Sequence, residues 1–307
     1  MTKVLVATEK PFAAIAVNKI RKIVEDAGFE LVLFEKYKEA SELISASSDA
    51  HAMIIRSDIA SRQVIENAKN LKIIVRAGAG YDNIDLAAAT EKGIVAMNTP
   101  GQNANAVAEL AIGMMIYVAR NNFNGSSGTE LLDKTLGIHA YGNVGKRVAK
   151  IAQGFGMKVY AFDPFVEKNE IEKDGIIATG SVKDLYSACQ YVSLHIPAGK
   201  DTIKSINHDL MSKMPAGAVL VNTARKEVID EASLLKIMEE RKDFRYASDM
   251  LPDCAAEFEL KYKGRFYFTP KKMGAQTEEA NINAGVAAAH QIVKFFKTGD
   301  RTFQVNK

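Results

Sequence analysis

The segment 136-LGIHAYGNVGKRVAKIA-152 holds residues spaced to receive a dinucleotide. A strand-like start, a tight turn and a helix-like end carry the G-x-G-x-x-G spacing as Ala140, Gly142 and Gly145, with alanine in the first place. Glycine at 142 lets the backbone approach a pyrophosphate, glycine at 145 lets the helix lie close on the strand, and the helix N-terminus attracts phosphates. Tyr141, Asn143 and Val144 complete the cofactor-binding turn. Alanine at 140 is acceptable provided its dihedrals are ordinary ones. The next strand-like run, 158-KVYAFDP-164, ends in Asp163, about twenty residues past the glycines, where a carboxylate accepts hydrogen bonds from the adenosine ribose hydroxyls. An acid there repels a 2′-phosphate, so NAD is expected rather than NADP. The glycines alone would equally suit a plain strand-to-helix connection.

Such a turn needs a parallel sheet beneath it. From the first residues, short β-branched runs (VLVAT at 4–8, then ELVLFEK, AMIIR, LKIIVRAG and GIVAMNT) alternate with amphipathic segments. This is the rhythm of a sheet with helices on both faces, and the fold class is α/β. In the first amphipathic segment Ile15, Ile20, Ile23, Val24 and Ala27 recur at roughly helical spacing, Pro11 fits the first turn and Gly28 is placed to end it. A second series follows Thr135: LGIHAYG, KVYAFD, YVSLHIP, AVLVNTA, RYASDM and RFYFTP. Two doubly wound parallel-sheet domains fit better than one sheet of so many strands, with the joint near Asn98-Thr99-Pro100-Gly101. The helical segment 277–299 comes after the second series, so the last residues are free to return to the first domain.

The composition of the 307 residues excludes several classes of function. With 47% hydrophobic and 25% charged residues the chain can bury two cores, and a net charge of +3 spread among acidic residues forms no cationic face for nucleic acid or anionic lipid. Cys189 and Cys254 form no C-x-x-C pair, which suits a reducing compartment, the cytoplasm by default. The N-terminus lacks the apolar core of a signal peptide, and the longest apolar stretch, 106-AVAELAIGMMIYVA-119, is too short for a bilayer and contains Glu109. It reads as a buried helix. No metal site and no membrane contact are expected.

Several motifs occur in a telling order: 71-LKIIVRAGAGYDNIDLAAATEKGIVAMNTPGQNANAVAELA-111, the dinucleotide turn, 219-VLVNTARKEVID-230 and 269-TPKKMGAQTEEA-280. On these the chain resembles, essentially end to end, the D-isomer-specific 2-hydroxyacid dehydrogenases. Within them it is similar to the short, lysine-containing D-3-phosphoglycerate dehydrogenases that lack a C-terminal regulatory domain. The resemblance implies a flavodoxin-like substrate-binding domain (1–97 plus 283–307) and a Rossmann NAD-binding domain (98–282), with the active cleft between them. Arg225 matches the arginine that grips the substrate carboxylate and keto oxygen, a task suited to a guanidinium's fork of donors. Arg76, Ala77 and Gly78, continuing through Ala79 and Gly80, match the loop whose amides hold the carboxylate, and the glycines make sense as an anion nest. Arg56 with Ser57 matches a basic position near the phosphate; otherwise Arg56 is a satisfied surface arginine. Asn98, Asn103 and Glu109 sit at the joint, either lining the cleft or serving as caps and packing polars. His195, Pro197 and Thr202, then Thr223 and Ala224, then Asp249, match positions beside the cofactor. His195 reads as a structural or cofactor-contact histidine rather than the catalytic acid, and His51, His139, His208 and His290 as structural or exposed.

Two departures concern the chemistry itself. In most of the family a histidine after Thr-Pro exchanges a proton with the substrate oxygen, paired with a glutamate. Here one residue is inserted: counting forward from Thr269-Pro270 puts Lys271 at that place, and counting back from Gly274-Ala275 puts Lys272 there. The glutamate position holds Cys254, with Asp253 adjacent and Glu257 three residues on. A carboxylate beside lysine would push an ordinary value of about 10.4 further out of range, so losing the acid is coherent with gaining the lysine. Burial and nearby cations would bring the ammonium toward useful values. One of the two lysines is expected as general acid and base; the alternative leaves both solvated and the proton passing through water.

The expected activity is NAD-dependent oxidation of D-3-phosphoglycerate, a phosphorylated 2-hydroxy acid, to 3-phosphohydroxypyruvate in L-serine biosynthesis. The alternatives are a glyoxylate or hydroxypyruvate reductase, or a dinucleotide-sensing protein of the corepressor type. A homodimer is expected, with rearranged contacts, because only NNFNGSS separates Arg120 from Gly128 where many relatives carry a longer arm. With nothing following residue 307, a serine-sensing domain of the usual kind has no room and feedback inhibition is expected to be weak or absent.

Overall fold

The computed structural model describes residues 1–306 and divides into two compact units, Met1–Asn103 with Gln276–Lys307, and Ala104–Ala275. In the first, strands β1 (Lys3–Thr8), β2 (Glu30–Glu35), β3 (Ala52–Ile55), β4 (Ile73–Arg76) and β5 (Val95–Asn98) form an all-parallel sheet ordered β2-β1-β3-β4-β5. Alternation along β1 sends Val4 and Val6 into one apolar layer with Ile54, Val75 and Ile292, and Leu5 and Ala7 into the other with Met53, Ile55 and Ile65. Both faces are therefore covered, which is why these strands read as nearly continuous apolar runs.

The helix Ala14–Asp26 buries Ala16, Ile20 and Val24 at four-residue spacing. It starts later than its pattern suggests: Ala13 occupies the N-cap and Pro11 lies ahead of the first turn. Ile15, expected on the buried face, is 48% exposed, since it falls off the 16-20-24 stripe. Gly28 ends the helix at φ +81°, with Phe29 N donating to the Val24 carbonyl. The closing helix Glu278–Thr298 is capped by the Thr277 hydroxyl and packs tightly on the first one: a Cβ on Gly285 would come within 2.9 Å of Ile20 Cδ1.

The second unit holds β6 (Thr135–His139), β7 (Lys158–Phe162), β8 (Ile177–Ala178), β9 (Tyr191–Leu194), β10 (Val219–Asn222), β11 (Arg245–Ser248) and β12 (Phe266–Phe268). They form one parallel sheet in the order β12-β11-β10-β9-β6-β7-β8, with β9 directly paired to β6. The strand order reverses between β6 and β9, the place where doubly wound sheets receive nucleotides. Both sheets are parallel and helix-covered, as the alternating runs require. Only β8 escaped the sequence reading, since a two-residue strand leaves no periodicity to read. The apolar stretch forms the helix Ala104–Ala119, buried along Ala108, Ala111, Met115 and Val118, while Glu109 points outward and accepts from Asn105 Nδ2 at 2.6 Å. The short segment after Arg120 is tied down by Arg245, whose Nη2 donates to Asn121 Oδ1 at 2.9 Å, and by Asn122, whose Nδ2 donates to the Phe266 carbonyl at 3.1 Å.

Candidate active site

The dinucleotide turn lies at the C-terminal end of β6, beside the order reversal. Gly145 has no room for a side chain: a Cβ would sit 2.3 Å from the Ala140 carbonyl oxygen and 2.9 Å from Ile138 Cγ2. Gly142 is the opposite case, with nothing within 4 Å of an added Cβ, so a ligand can lie against its backbone. The helix Asn143–Gly154 begins at Gly142 with no side chain capping its first amides. Asp163 accepts from Tyr141 N and Phe165 N, both at 2.8 Å, which fixes the carboxylate beside the turn. Open backbone, uncapped amides and a pinned acid fit a dinucleotide.

Two expectations for the turn need correction. Ala140 does not have ordinary dihedrals: its φ is +80°, because the chain leaves β6 through its last ladder bond, Ala140 N to the Phe162 carbonyl, and must reverse at once. The Tyr141 side chain is only 1% exposed, with its hydroxyl 2.8 Å from Asp174 Oδ2, so only its backbone is placed to meet a ligand. Asn143 is exposed and Val144 packs partly on the core.

Further round the same sheet end, Thr202 closes its own loop, donating to the Pro197 carbonyl and accepting from Gly199 N at 2.8 Å. Its hydroxyl is thereby engaged within the loop. His195 meets the Thr223 hydroxyl through Nδ1 at 3.5 Å, while its Nε2 is buried with no partner among the described residues.

The loop after β10 is shaped by a buried asparagine. Asn222 donates from Nδ2 to the Arg225 carbonyl and accepts at Oδ1 from Ala224 N, both at 2.9 Å, so both ends of its amide serve the loop that presents Arg225. The Ala224 carbonyl then receives two cations: Arg225 Nη1 at 2.9 Å and Lys272 Nζ at 3.2 Å. Sharing one oxygen holds these nitrogens within about 6 Å of each other. Asp249, fully buried, fixes the lysine loop by accepting from Thr269 Oγ1, Met273 N and Gly274 N at 3.1, 2.9 and 2.7 Å. Its carboxylate thus organises the loop rather than standing open to a ligand. Lys271 and Lys272 are both exposed, so the burial expected to weaken the ammonium is absent, because the loop lies on the surface of its unit.

Two of the residues at the usual acid position are engaged elsewhere. Cys254 packs in the core, and burial together with the Glu231 carboxylate pushes its thiol up to about 12, which leaves it a protonated donor. Asp253 pairs with Lys226 at 2.6 Å, and Glu257 is exposed on the helix Ala255–Lys261. Glu231 gathers Asp253 N at 2.9 Å and Cys254 N at 2.8 Å and so anchors the segment.

In the first unit the nest residues behave as their types suggest. Gly78 adopts φ +151°, and a Cβ there would lie 1.5 Å from Arg76 Nη1, so the arginine folds over the glycine. Ala77 N is taken by the Ile55 carbonyl and Gly78 N by that of Arg76, while the amides of Ala79 and Gly80 have no acceptor among the described residues. Asn98 Nδ2 donates to the Ala79 carbonyl at 2.6 Å and steadies the loop. Asn103 is half-buried, and Ser57 is exposed. Arg56 is largely committed: Nη1 donates to the Lys10 and Pro11 carbonyls at 2.9 and 3.1 Å, Nη2 to Asn281 Oδ1 at 2.5 Å, and the guanidinium stacks over Phe12. Asn222, Glu231, Asp174 and Asn281 were not singled out from the sequence. Buried asparagine at a strand end was the one signal available, and it is a weak one.

Elsewhere His51 accepts from Lys3 N at 3.1 Å, His208 pairs with Glu240 at 2.6 Å, and His290 is exposed. His139 and His195 stand at the ends of adjacent strands, joined by His195 N to the His139 carbonyl at 2.9 Å. Burial, which Asp163 opposes, lowers the His139 ring to about 4; burial and then His139 lower His195 to about 3. Both are neutral in the folded state where an unfolded chain would protonate them, below about 6.5, so stability is full above that pH and falls as acid is added. A loss of about 3 kcal/mol per histidine is expected by pH 4. Urea midpoints at pH 7 and pH 5 test this: the drop should shrink in His139→Asn or His195→Asn, and a drop as large as the wild type's in both variants would count against it.

Comparison with known proteins places this geometry. Residues 106–270 match the family described as D-isomer specific 2-hydroxyacid dehydrogenase, NAD binding domain. The structure of the NAD+-bound 3-phosphoglycerate dehydrogenase of Entamoeba histolytica superposes with a TM-score of 0.87 at 50% identity, covering 100% of this chain and 99% of that one. The D-3-phosphoglycerate dehydrogenase of Methanocaldococcus jannaschii is 35% identical over 291 residues, 90% of this chain and 55% of that protein. The hydroxypyruvate reductase of Thermotoga maritima is 35% identical over 283 residues, 86% of this chain and 91% of that one. The chain spans about half the length of the curated phosphoglycerate dehydrogenases it matches. The chain belongs to the D-isomer specific 2-hydroxyacid dehydrogenases, and its unit Ala104–Ala275 carries their NAD-binding domain.

Proposed function

We propose that this chain is an NAD-dependent dehydrogenase that oxidises the 2-hydroxyl of D-3-phosphoglycerate to the ketone of 3-phosphohydroxypyruvate, toward L-serine. The observation that supports this chemistry is the convergence of Arg225 and Lys272 on the Ala224 carbonyl, one planar fork for an anion beside one amine. The choice of substrate leans on the Entamoeba enzyme, half identical over nearly its whole length. Gly142, the amides opening the helix Asn143–Gly154 and Asp163 would hold the cofactor. When bound, NAD+ supplies a hydride acceptor. Arg225 holds the substrate carboxylate and polarises the oxygen at C2, and neutral Lys272 takes the hydroxyl proton as the carbonyl forms. The nest at Ala79 and Gly80 supplies anion-binding amides in the first unit.

We place the protein in the cytoplasm as a homodimer; among the described residues no helix is long and apolar enough to cross a membrane. A second reading, reduction of hydroxypyruvate or glyoxylate, is favoured by the Thermotoga relative, which matches over most of its own length. NADH formation at 340 nm separates the readings. D-3-phosphoglycerate is expected to be oxidised with a higher kcat/KM than D-glycerate, and the reverse preference would overturn the assignment. An Arg56→Ala variant does not serve as discriminator, because that guanidinium braces the Lys10, Pro11 and Asn281 contacts whatever the substrate.

A further inference from the structure

The first place of the dinucleotide turn is occupied by a residue ill suited to it. At φ +80° Ala140 lies where a Cβ is disfavoured and glycine is the usual occupant. The next residue is anchored at both ends. Tyr141 N donates to Asp163 Oδ2 at 2.8 Å, and the tyrosine hydroxyl donates to Asp174 Oδ2 at 2.8 Å from within the core. Burial and the Asp174 carboxylate both raise the phenol, so it remains a donor throughout the working pH range. Asp174 is anchored in turn: its N donates to the Ile171 carbonyl at 3.2 Å, and its own carbonyl accepts from Gln153 Nε2 at 3.0 Å, a residue of the helix that the turn begins. The loop is thereby closed from turn to tyrosine to aspartate and back to the same helix.

We propose that the Tyr141–Asp174 hydrogen bond is a latch that holds Ala140 in its left-handed conformation, making Tyr141 and Asp174 positioning residues for dinucleotide affinity. The inference rests on the turn being the NAD site. Neither side chain touches the cofactor in this role; both act through the backbone at 140–142. A glycine at 140 would make the latch dispensable, since glycine takes a positive φ without help.

The test is NADH affinity, read by fluorescence titration without substrate, together with the melting temperature of the cofactor-free protein. Tyr141→Phe removes one oxygen and is expected to raise the NADH Kd about tenfold, as loss of a hydrogen bond to a charged acceptor does. Asp174→Ala should do the same. In Ala140→Gly/Tyr141→Phe most of the affinity should return, and the two substitutions should be coupled in melting temperature. Tyr262→Phe, which removes a distant hydroxyl donating to the Leu235 carbonyl, supplies the comparison: Ala140→Gly should rescue nothing there. Unchanged NADH affinity in Tyr141→Phe, or no recovery with Ala140→Gly, overturns the latch. If the wild type itself fails to bind NADH, the cofactor site is wrong, and the melting-temperature coupling still decides whether the latch exists.

Discussion

Lys272→Ala is expected to lower kcat for alcohol oxidation by about 10²- to 10⁴-fold, the usual contribution of a positioned acid–base group, with little change in NADH affinity. Lys271→Ala should change little. The two lysines are neighbours in sequence and both are exposed, so burial does not separate them. The loop does: Asp249 captures the amides of Met273 and Gly274, directly after Lys272, and with that backbone fixed Lys272 Nζ reaches the carbonyl that also takes Arg225. The base must be uncharged, so oxidation should accelerate as pH rises and the reverse reduction should slow. In Lys272→Ala that dependence should flatten. Steady-state rates from about pH 6 to about pH 10 provide the check. A collapse in Lys271→Ala instead, or full activity in both variants, would sink the assignment and leave the proton to water.

Gly145→Ala should destabilise the second unit by about 2–3 kcal/mol and weaken NADH binding by at least about tenfold. The added methyl would meet the Ala140 carbonyl oxygen at 2.3 Å and Ile138 Cγ2 at 2.9 Å, and the nearer atom is backbone, which cannot swing aside. The helix Asn143–Gly154 would have to lift from β6, carrying its first amides away from the place where phosphates lie. Gly142→Ala is the informative contrast, because its Cβ meets nothing within 4 Å. It should melt like the wild type yet lose affinity, since the methyl would occupy ligand space. Denaturant midpoints and NADH titrations on both variants measure the two effects, and equal stability in Gly145→Ala and the wild type would contradict the packing argument.

The amino-acid sequence by itself determined every strand but β8, the place of the dinucleotide turn and the family. β-branched runs such as AMII and VLVN mark strands buried on both faces, and the glycine spacing with Asp163 marks the dinucleotide site, because both signals are local or nearly so. Family motifs drew attention to Arg225 in the same way. What only tertiary structure decided depends on partners far apart in the chain. Arg56 is held by Asn281, 225 positions away, and Lys272 meets a carbonyl 48 positions away. An inserted residue left Lys271 and Lys272 equivalent by counting; in the structure the buried Asp249 holds the backbone just after Lys272, whose Nζ donates to the Ala224 carbonyl. Ala140 shows the same limit from the other side: nothing in its own side chain asks for a positive φ, which the sheet geometry imposes and Tyr141 sustains through contacts with Asp163 and Asp174, 22 and 33 positions on. Short-range pattern therefore wrote the elements, and the crossing of the chain through two parallel sheets chose which side chains meet.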